Sequence, residues 1–384
     1  MIMSWPEVRD RRMVRHGLGS DGCDGVVTAA RAMCGAHAQI MSAAELSLGI
    51  RCTGVTRSEV RSALWSELTL VKTYGPRGTV HVLPAEDLPS WLAALSAVPH
   101  QGAAPDAMAM SEDQTEVVIK AIGDAVAEAG DRGLTIAELS EQVPARAGSW
   151  AGDLVMPAFQ QMWPRWRQSL GAAAHKGVVI FGPDRDRQVT YRSPAGLLPV
   201  RSAPSASKAL AWLLQEYLHS YGPARPRDFA KWIAGPVRWA EQLFRKLASE
   251  LTEVEFADAA AYVVKGDTKI AADRADSVRL LPYFDAFVVG SHPRELLFPG
   301  KAAVRALSPS GQAGNYPTLL IDGQVAGVWH AKRSGSTIAI TVEPLGRLTK
   351  AQRALLDVEA DRIGTISEAK PSLTIGTVSV GGHA

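Results

Sequence analysis

The sequence predicts an α+β protein in which a helix–helix–hairpin unit recurs three times and a β-rich segment follows. Three observations carry that expectation. Capped amphipathic segments come in pairs, an alternating two-stranded pattern with turn residues follows each pair, and after residue 277 the chain changes to short strands bounded by glycine and proline. A short helix, a longer helix and a hairpin make the winged-helix plan, whose second helix enters a groove of DNA and whose wing lies against the backbone. The expected divisions are residues 1–100, 101–200 and 201–267 for three tandem winged-helix motifs, and 278–384 for a small C-terminal β-barrel-like domain.

In the first unit, residues 24–33 predict a short helix and 57–67 a second with Thr56 as N-cap, while 70–83 predict a hairpin turning at Gly75-Pro76-Arg77-Gly78. In the second, 115–129 are amphipathic and Thr135-Ile136-Ala137-Glu138 has the form of a capping box. A longer helix is expected over 159–174, with Phe159, Met162, Trp163, Trp166 and Leu170 at helical spacing and Pro164 as a kink. Strands at 178–181 and 188–192 then flank a turn carrying Arg185 and Arg187. The third unit has helices at 208–221, from Arg225-Pro226 onward and at 237–247, and a hairpin pairing 251–256 with 261–265. Beyond the polar segment 267–277, strands are expected at 278–281, 287–289, 318–321, 324–333 and 337–342. A helix over 350–362 and a fraying tail over 376–384 close the chain.

Composition narrows the function classes. The 384 residues suffice for two or three modules, and with 46% hydrophobic residues and mean hydropathy near zero they describe a soluble globular chain. No run reaches the roughly 18–20 apolar residues of a membrane span, and the N-terminus lacks the order of a signal peptide, so a cytoplasmic protein is expected. Cys23, Cys34 and Cys52 suit neither a disulfide framework nor a zinc site and read as packing thiols. A formal net charge of +2 is too small to announce a nucleic-acid binder, so a DNA surface must come from local clusters at 9–15, 165–176, 185–192 and 225–246. Charge runs are ordinarily solvated faces, so position has to decide.

The stretch from Thr73 to Leu88, Thr-Tyr-Gly-Pro-Arg-Gly-Thr-Val-His-Val-Leu-Pro-Ala-Glu-Asp-Leu, resembles the signature of the AlkZ-like winged-helix DNA glycosylases. Tyr221-Gly-Pro-Ala-Arg-Pro-Arg-Asp-Phe229, Leu280-Leu-Pro-Tyr-Phe-Asp285 and Asp322-Gly-Gln-Val-Ala-Gly-Val-Trp329 are similar to later motifs of that family, in the same order. The resemblance implies tandem winged helices around a concave basic surface, a C-terminal barrel and excision of a damaged base. It also implies a catalytic motif of two glutamines flanking one apolar residue. Here that segment reads Gly35-Ala36-His37-Ala38-Gln39-Ile40, so Gln39 keeps the second glutamine and His37 replaces the first. Gln39 places the chain nearer the toxin-resistance branch than the branch with aspartate there.

The chemistry fits those residue types. Alkylation at N7 makes guanine a good leaving group, so the protein must chiefly hold a water and stabilise a sugar cation. A neutral Gln39 amide both donates and accepts, and a neutral His37 adds an acceptor beside it. No lysine sits in the motif to form a Schiff base, so hydrolysis to an abasic site is expected. Without the resemblance, a His and a Gln two apart after a helix would read as a capping or core-satisfying pair. The expected partner is double-stranded DNA carrying bulky alkylguanine adducts, bound by a monomer without cofactor, metal or membrane. Expected DNA contacts are Arg77 and His81 in the first wing, Arg185 and Arg187 in the second, Arg225, Arg227 and Lys231 at the third short helix, and Lys332 and Arg333 beside His330 in a later hairpin. His81 has a second reading, facing the His37 loop from its wing strand. The rival functions are a winged-helix transcription regulator and a protein that sequesters the drug itself.

Overall fold

A helix outside the expected set, α1 (Trp5–Arg15), begins the fold, and a capping box starts it: the Ser4 N–H and hydroxyl both donate to the Glu7 carboxylate at 2.7 Å. The computed structural model describes residues 1–99, 108–158, 161–199, 201–269 and 277–382. They cluster into two units, Met1–Ala63 with Leu214–Trp232 and Val237–Ala384, and Leu64–Leu213 with Ile233–Pro236.

After α1 come α2 (Gly25–Ala32), the two-residue strand β1 (Ala36–His37), α3 (Met41–Gly49) and α4 (Arg57–Trp65). Thr56 and Glu59 exchange the capping bonds at the start of α4, as the sequence predicts. The hairpin β2 (Leu70–Tyr74) and β3 (Val80–Pro84) turns where expected, with Arg77 at φ 62°, and α5 (Leu88–Ser96) follows.

The second unit's core is built by α6 (Glu112–Ala129), β4 (Leu134–Thr135) and α7 (Ile136–Ala147), the last opened by the Thr135–Glu138 capping box. The helix expected over 159–174 does not form. Its first residues lie outside those described, and the rest divide into β6 (Gln161–Pro164), which pairs with β5 (Leu154–Ala158) before it, a 3₁₀ turn over Arg165–Ser169 and the short α8 (Leu170–His175). Pro164 cannot donate within a helix, and in a two-stranded ribbon it sits without loss. Helical spacing of the aromatics was a coincidence of burial: Trp166 and Leu170 do reach the core, but Met162 is 43% exposed and Trp163 stacks under the Arg167 guanidinium at 3.6 Å. A hairpin forms where one is expected, from β7 (Ile180–Arg185) and β8 (Gln188–Arg192), but its first strand runs on through Arg185, so the turn shrinks to Asp186 and Arg187, both at positive φ in a type I′ turn.

Returning to the first unit, α9 (Ala206–Tyr221), which begins in the second unit's segment, leads to α10 (Pro226–Ile233), α11 (Val237–Lys246) and the hairpin β9 (Leu251–Phe256) and β10 (Ala259–Val264). Its turn is tighter than predicted because Ala257 and Asp258 both take positive φ, so Ala259 already pairs with Phe256. Met3 and Val8 pack on this hairpin against Val254, Phe256, Ala261 and Val263. A mixed α+β architecture is thus present, with helices preceding three hairpins.

The C-terminal part adds β11 (Val278–Leu281), α12 (Ala286–Gly290), α13 (Arg294–Leu297), α14 (Lys301–Ala306), β12 (Thr318–Ile321), β13 (Gln324–Ser334), β14 (Thr337–Pro344), α15 (Lys350–Ser367) and β15 (Lys370–Ile375). Residues 287–289, expected as a strand, are helical because the Asp285 carboxylate caps the Phe287 N–H at 3.0 Å. The sheet runs β11-β12-β13-β14-β15, antiparallel until β15 joins β14 in parallel, and it stays open with β11 and β15 as edges. Leu356, Ala360 and Ile363 of α15 bury one face against Leu280, Leu319, Trp329 and Ile340. The other face sets Leu281, Leu320 and Val328 under Phe287, Leu297 and Phe298. The tail is fastened further than expected: Val378 is 6% exposed and its N–H donates to Glu343 at 2.7 Å.

Candidate active site

The segment carrying His37 and Gln39 is shaped by how α2 ends. Cys34 takes φ 52°, its N–H donates to the Arg31 carbonyl and the Gly35 N–H to that of Ala30, which is a Schellman turn with cysteine in the left-handed position. The turn throws the chain into β1 and on to the start of α3. Ala38 is buried, His37 half-buried and Gln39 exposed, so the apolar residue between them anchors the loop while the amide faces solvent. Cys34 serves packing: burial pushes its thiol far up, and its Sγ donates to Ser220 at 3.4 Å. Burial likewise raises Cys23, and Cys52 to about 11.

One buried ion pair fixes α3 to the loop before α12. Arg51, just past α3, grips Asp285 with two bonds of 2.8 Å, and both side chains are 0% exposed. Ser47 of α3 donates to the same carboxylate at 2.7 Å, and Arg51 also donates to the Ser47 and His16 carbonyls. Burial raises the Asp285 carboxyl, but Arg51 and the bonds from Arg51, Ser47 and the Phe287 N–H outweigh it, and the net direction is below the usual carboxylate range. Beside Asp285, Phe284 presents its ring to the His37 imidazole, with centroids 4.9 Å apart and planes tilted by 31°. Tyr221 ties the end of α9 to both sides, donating to the carbonyls of Met33 and Ala286. His16 meets the Tyr221 and Phe287 rings edge-on. Tyr221 and Leu280–Asp285 lie in two of the motifs that carry the family resemblance. Arg51 and Ser47 carried no sequence signal, because their partner lies more than two hundred positions away.

The expected DNA contacts separate by environment. Arg187 stands exposed at its turn, Arg227 and Lys231 are exposed four apart on α10, and Lys332 and Arg333 are exposed near the tip of the β13–β14 hairpin. Arg77 is half-buried at the first wing's turn and His330 half-buried on β13. Three others are engaged inside the fold. Arg185 bonds Glu138 at 2.5 Å and the carbonyls of Arg132 and Gly133, and Glu138, held by the Thr135 N–H and these arginines, drops to about 2. Arg225 pairs with Asp228 at 3.0 Å. His81 is withdrawn from the surface at 3% exposure, its Nδ1 2.9 Å from the Thr79 carbonyl. Among the described residues no group of His, Cys, Asp and Glu is placed to hold a metal, and no helix is long and apolar enough to cross a membrane.

A helix-and-hairpin scaffold with exposed cations at several turns and an amide-bearing loop suits a base-excising DNA enzyme, and the chain belongs to the AlkZ-like DNA glycosylase family, whose model matches residues 30–366. It is 26% identical over 353 residues to the interstrand DNA cross-link repair glycosylase of Streptomyces sahachiroi, spanning 86% of this chain and 88% of that one. The fold is similar to that of Streptomyces sahachiroi DNA glycosylase AlkZ, with a TM-score of 0.79 at 22% identity over 98% of this chain and 100% of the other. The protein is therefore a DNA glycosylase acting on DNA, and the regulator and drug-sequestering alternatives are set aside.

Proposed function

We propose that this glycosylase hydrolyses the N-glycosidic bond of bulky N7-alkylguanine adducts in duplex DNA, leaving an abasic site, and that it protects its host from a genotoxic natural product. The observation that carries the reading is the exposed Gln39 amide beside a half-buried His37, on a loop held from both ends. In this reading Gln39 orients the attacking water and neutral His37 accepts a hydrogen bond from it, since an imidazolium would repel the cationic base. The name of the S. sahachiroi relative extends the substrate class to guanines held in interstrand cross-links. Such a base cannot swing fully into a pocket, so the loop approaches a nucleotide still largely in the duplex.

The scaffold reading is part of the same proposal. Three winged-helix motifs over 1–100, 101–200 and 201–267 carry the DNA in a monomer, and residues 278–384 form a separate β-rich domain. Arg77, Arg187, Arg227, Lys231, Lys332 and Arg333 neutralise phosphates, whereas Arg185 and Arg225 brace their own elements.

The test uses duplex DNA treated with a nitrogen mustard, incubated with the protein and heated in alkali to break the strand at abasic guanines. Gln39→Ala and His37→Ala are each expected to slow base release by about 10²–10³-fold while DNA affinity stays within a few-fold. Wild-type rates in both variants would remove this loop from the chemistry. Absence of breaks with the native protein would remove the substrate class.

A further inference from the structure

We infer that Phe284 is a positioning residue for His37, its ring setting the plane of the imidazole beside Gln39, with the buried Arg51–Asp285 pair holding Phe284 in place. The inference rests on the catalytic reading of His37 above and adds a residue to it.

Phe284 sits at φ 56°, in the left-handed region where glycine is the natural occupant. A bulky residue persists there only when its surroundings over-determine it, and such positions gather at functional sites. Here the surroundings do so three times. The Phe284 N–H donates to the Gly314 carbonyl at 2.9 Å. Gly314, itself at φ 102°, makes the approach possible, because a Cβ there would fall 3.1 Å from both the Phe284 Cα and its ring. The next residue, Asp285, is locked by Arg51 and Ser47. Backbone geometry alone would favour glycine at 284, so the reason for phenylalanine lies in its side chain. That side chain is half-buried and stacks obliquely on His37 at 4.9 Å. Gln39 lies two residues before α3, whose last turn supplies Ser47, so the loop and the ring share one anchor.

The experiment compares Phe284→Gly, Phe284→Tyr and Phe284→Leu in the full chain, alone and with His37→Ala. Single-turnover base release on nitrogen-mustard-treated duplex, DNA affinity, and the NMR resonances of the ¹³C-labelled His37 ring are read together. Phe284→Gly relieves the backbone, so its thermal midpoint should stay within a few degrees of wild type, while base release slows about tenfold or more at unchanged affinity. The His37 ring protons should lose the ring-current shift of the neighbouring aromatic. Phe284→Tyr restores both readouts, and in the His37→Ala background Phe284→Gly slows release no further. A wild-type rate in Phe284→Gly, full additivity with His37→Ala, or rescue by Phe284→Leu equal to that by tyrosine would overturn the inference while leaving His37 in its role. A wild-type rate in His37→Ala would overturn both. Should Phe284→Gly fail to fold, the tyrosine–leucine comparison and the His37 resonances decide.

Discussion

Replacing Asp285 with alanine is expected to lower the unfolding free energy by about 3–5 kcal/mol, the cost of leaving one buried charge without its partner. Arg51 and Asp285 are both fully buried, and the carboxylate satisfies Ser47 and the first turn of α12 as well as the guanidinium. Its loss therefore strands Arg51, uncaps α12 and frees α3 from the Phe284 loop. The midpoint of urea unfolding reads the effect, and a loss under about 1 kcal/mol would show the pair behaving like an exposed one. Removing both charges, as in Arg51→Met with Asp285→Leu, should recover part of the loss, because an apolar pair of similar volume carries no desolvation penalty.

Acid should weaken the fold well above the range in which carboxylates titrate. His16 is 0% exposed, and neither ring nitrogen has a hydrogen-bond partner among the described residues. Burial first, and then the charge of Arg51, lowers it to about 3. The unfolded chain takes up this proton near pH 6.5 and the folded one does not, so the contribution is whole above pH 6.5. It falls by about 1.4 kcal/mol per unit below that, to about 5 kcal/mol in all as pH reaches 3. His292, lowered to about 2 by burial and then by Arg294 and Lys231, acts in the same direction. Thermal midpoints measured from pH 8 to 4.5 should slope accordingly, and His16→Phe should flatten the slope. An unchanged slope in that variant would assign the acid loss to other groups.

Much of the fold was legible where local chemistry decides it. Capping boxes at Thr56–Glu59 and Thr135–Glu138 set helix starts, and positive-φ turns set two of the three hairpins close to their predicted places. Where tertiary burial decides, the pattern misled. α3 buries Ala43, Ala44, Glu45, Ser47 and Leu48 around much of its circumference, so no single apolar stripe marks it. Residues 287–289 are β-branched and aromatic, yet one carboxylate cap makes them helical. The strand β15 (Lys370–Ile375) falls between the expected helix and the expected tail, in a stretch for which the sequence predicts no element. At the candidate site, His37 and Gln39 came only through resemblance, since a His–Gln pair has no signature of its own. Phe284 lay inside a recognised motif, but its meaning depends on a left-handed backbone and on a ring 247 positions away.

The parallel pairing of β15 with β14 carries a consequence for synthesis on the ribosome. β14 ends at Pro344 and its partner starts only at Lys370, after the whole of α15. At translation rates of about 5–20 residues per second, the outer edge of β14 stays bare for a time on the order of seconds. During that interval nascent chains on neighbouring ribosomes expose the same unpaired strand, with Ile338, Ile340 and Val342 not yet covered by α15. Yield in rapid overexpression should therefore depend on how quickly the stretch from β14 to β15 is made, and slower elongation upstream of β14, by spacing ribosomes apart, should favour the soluble product.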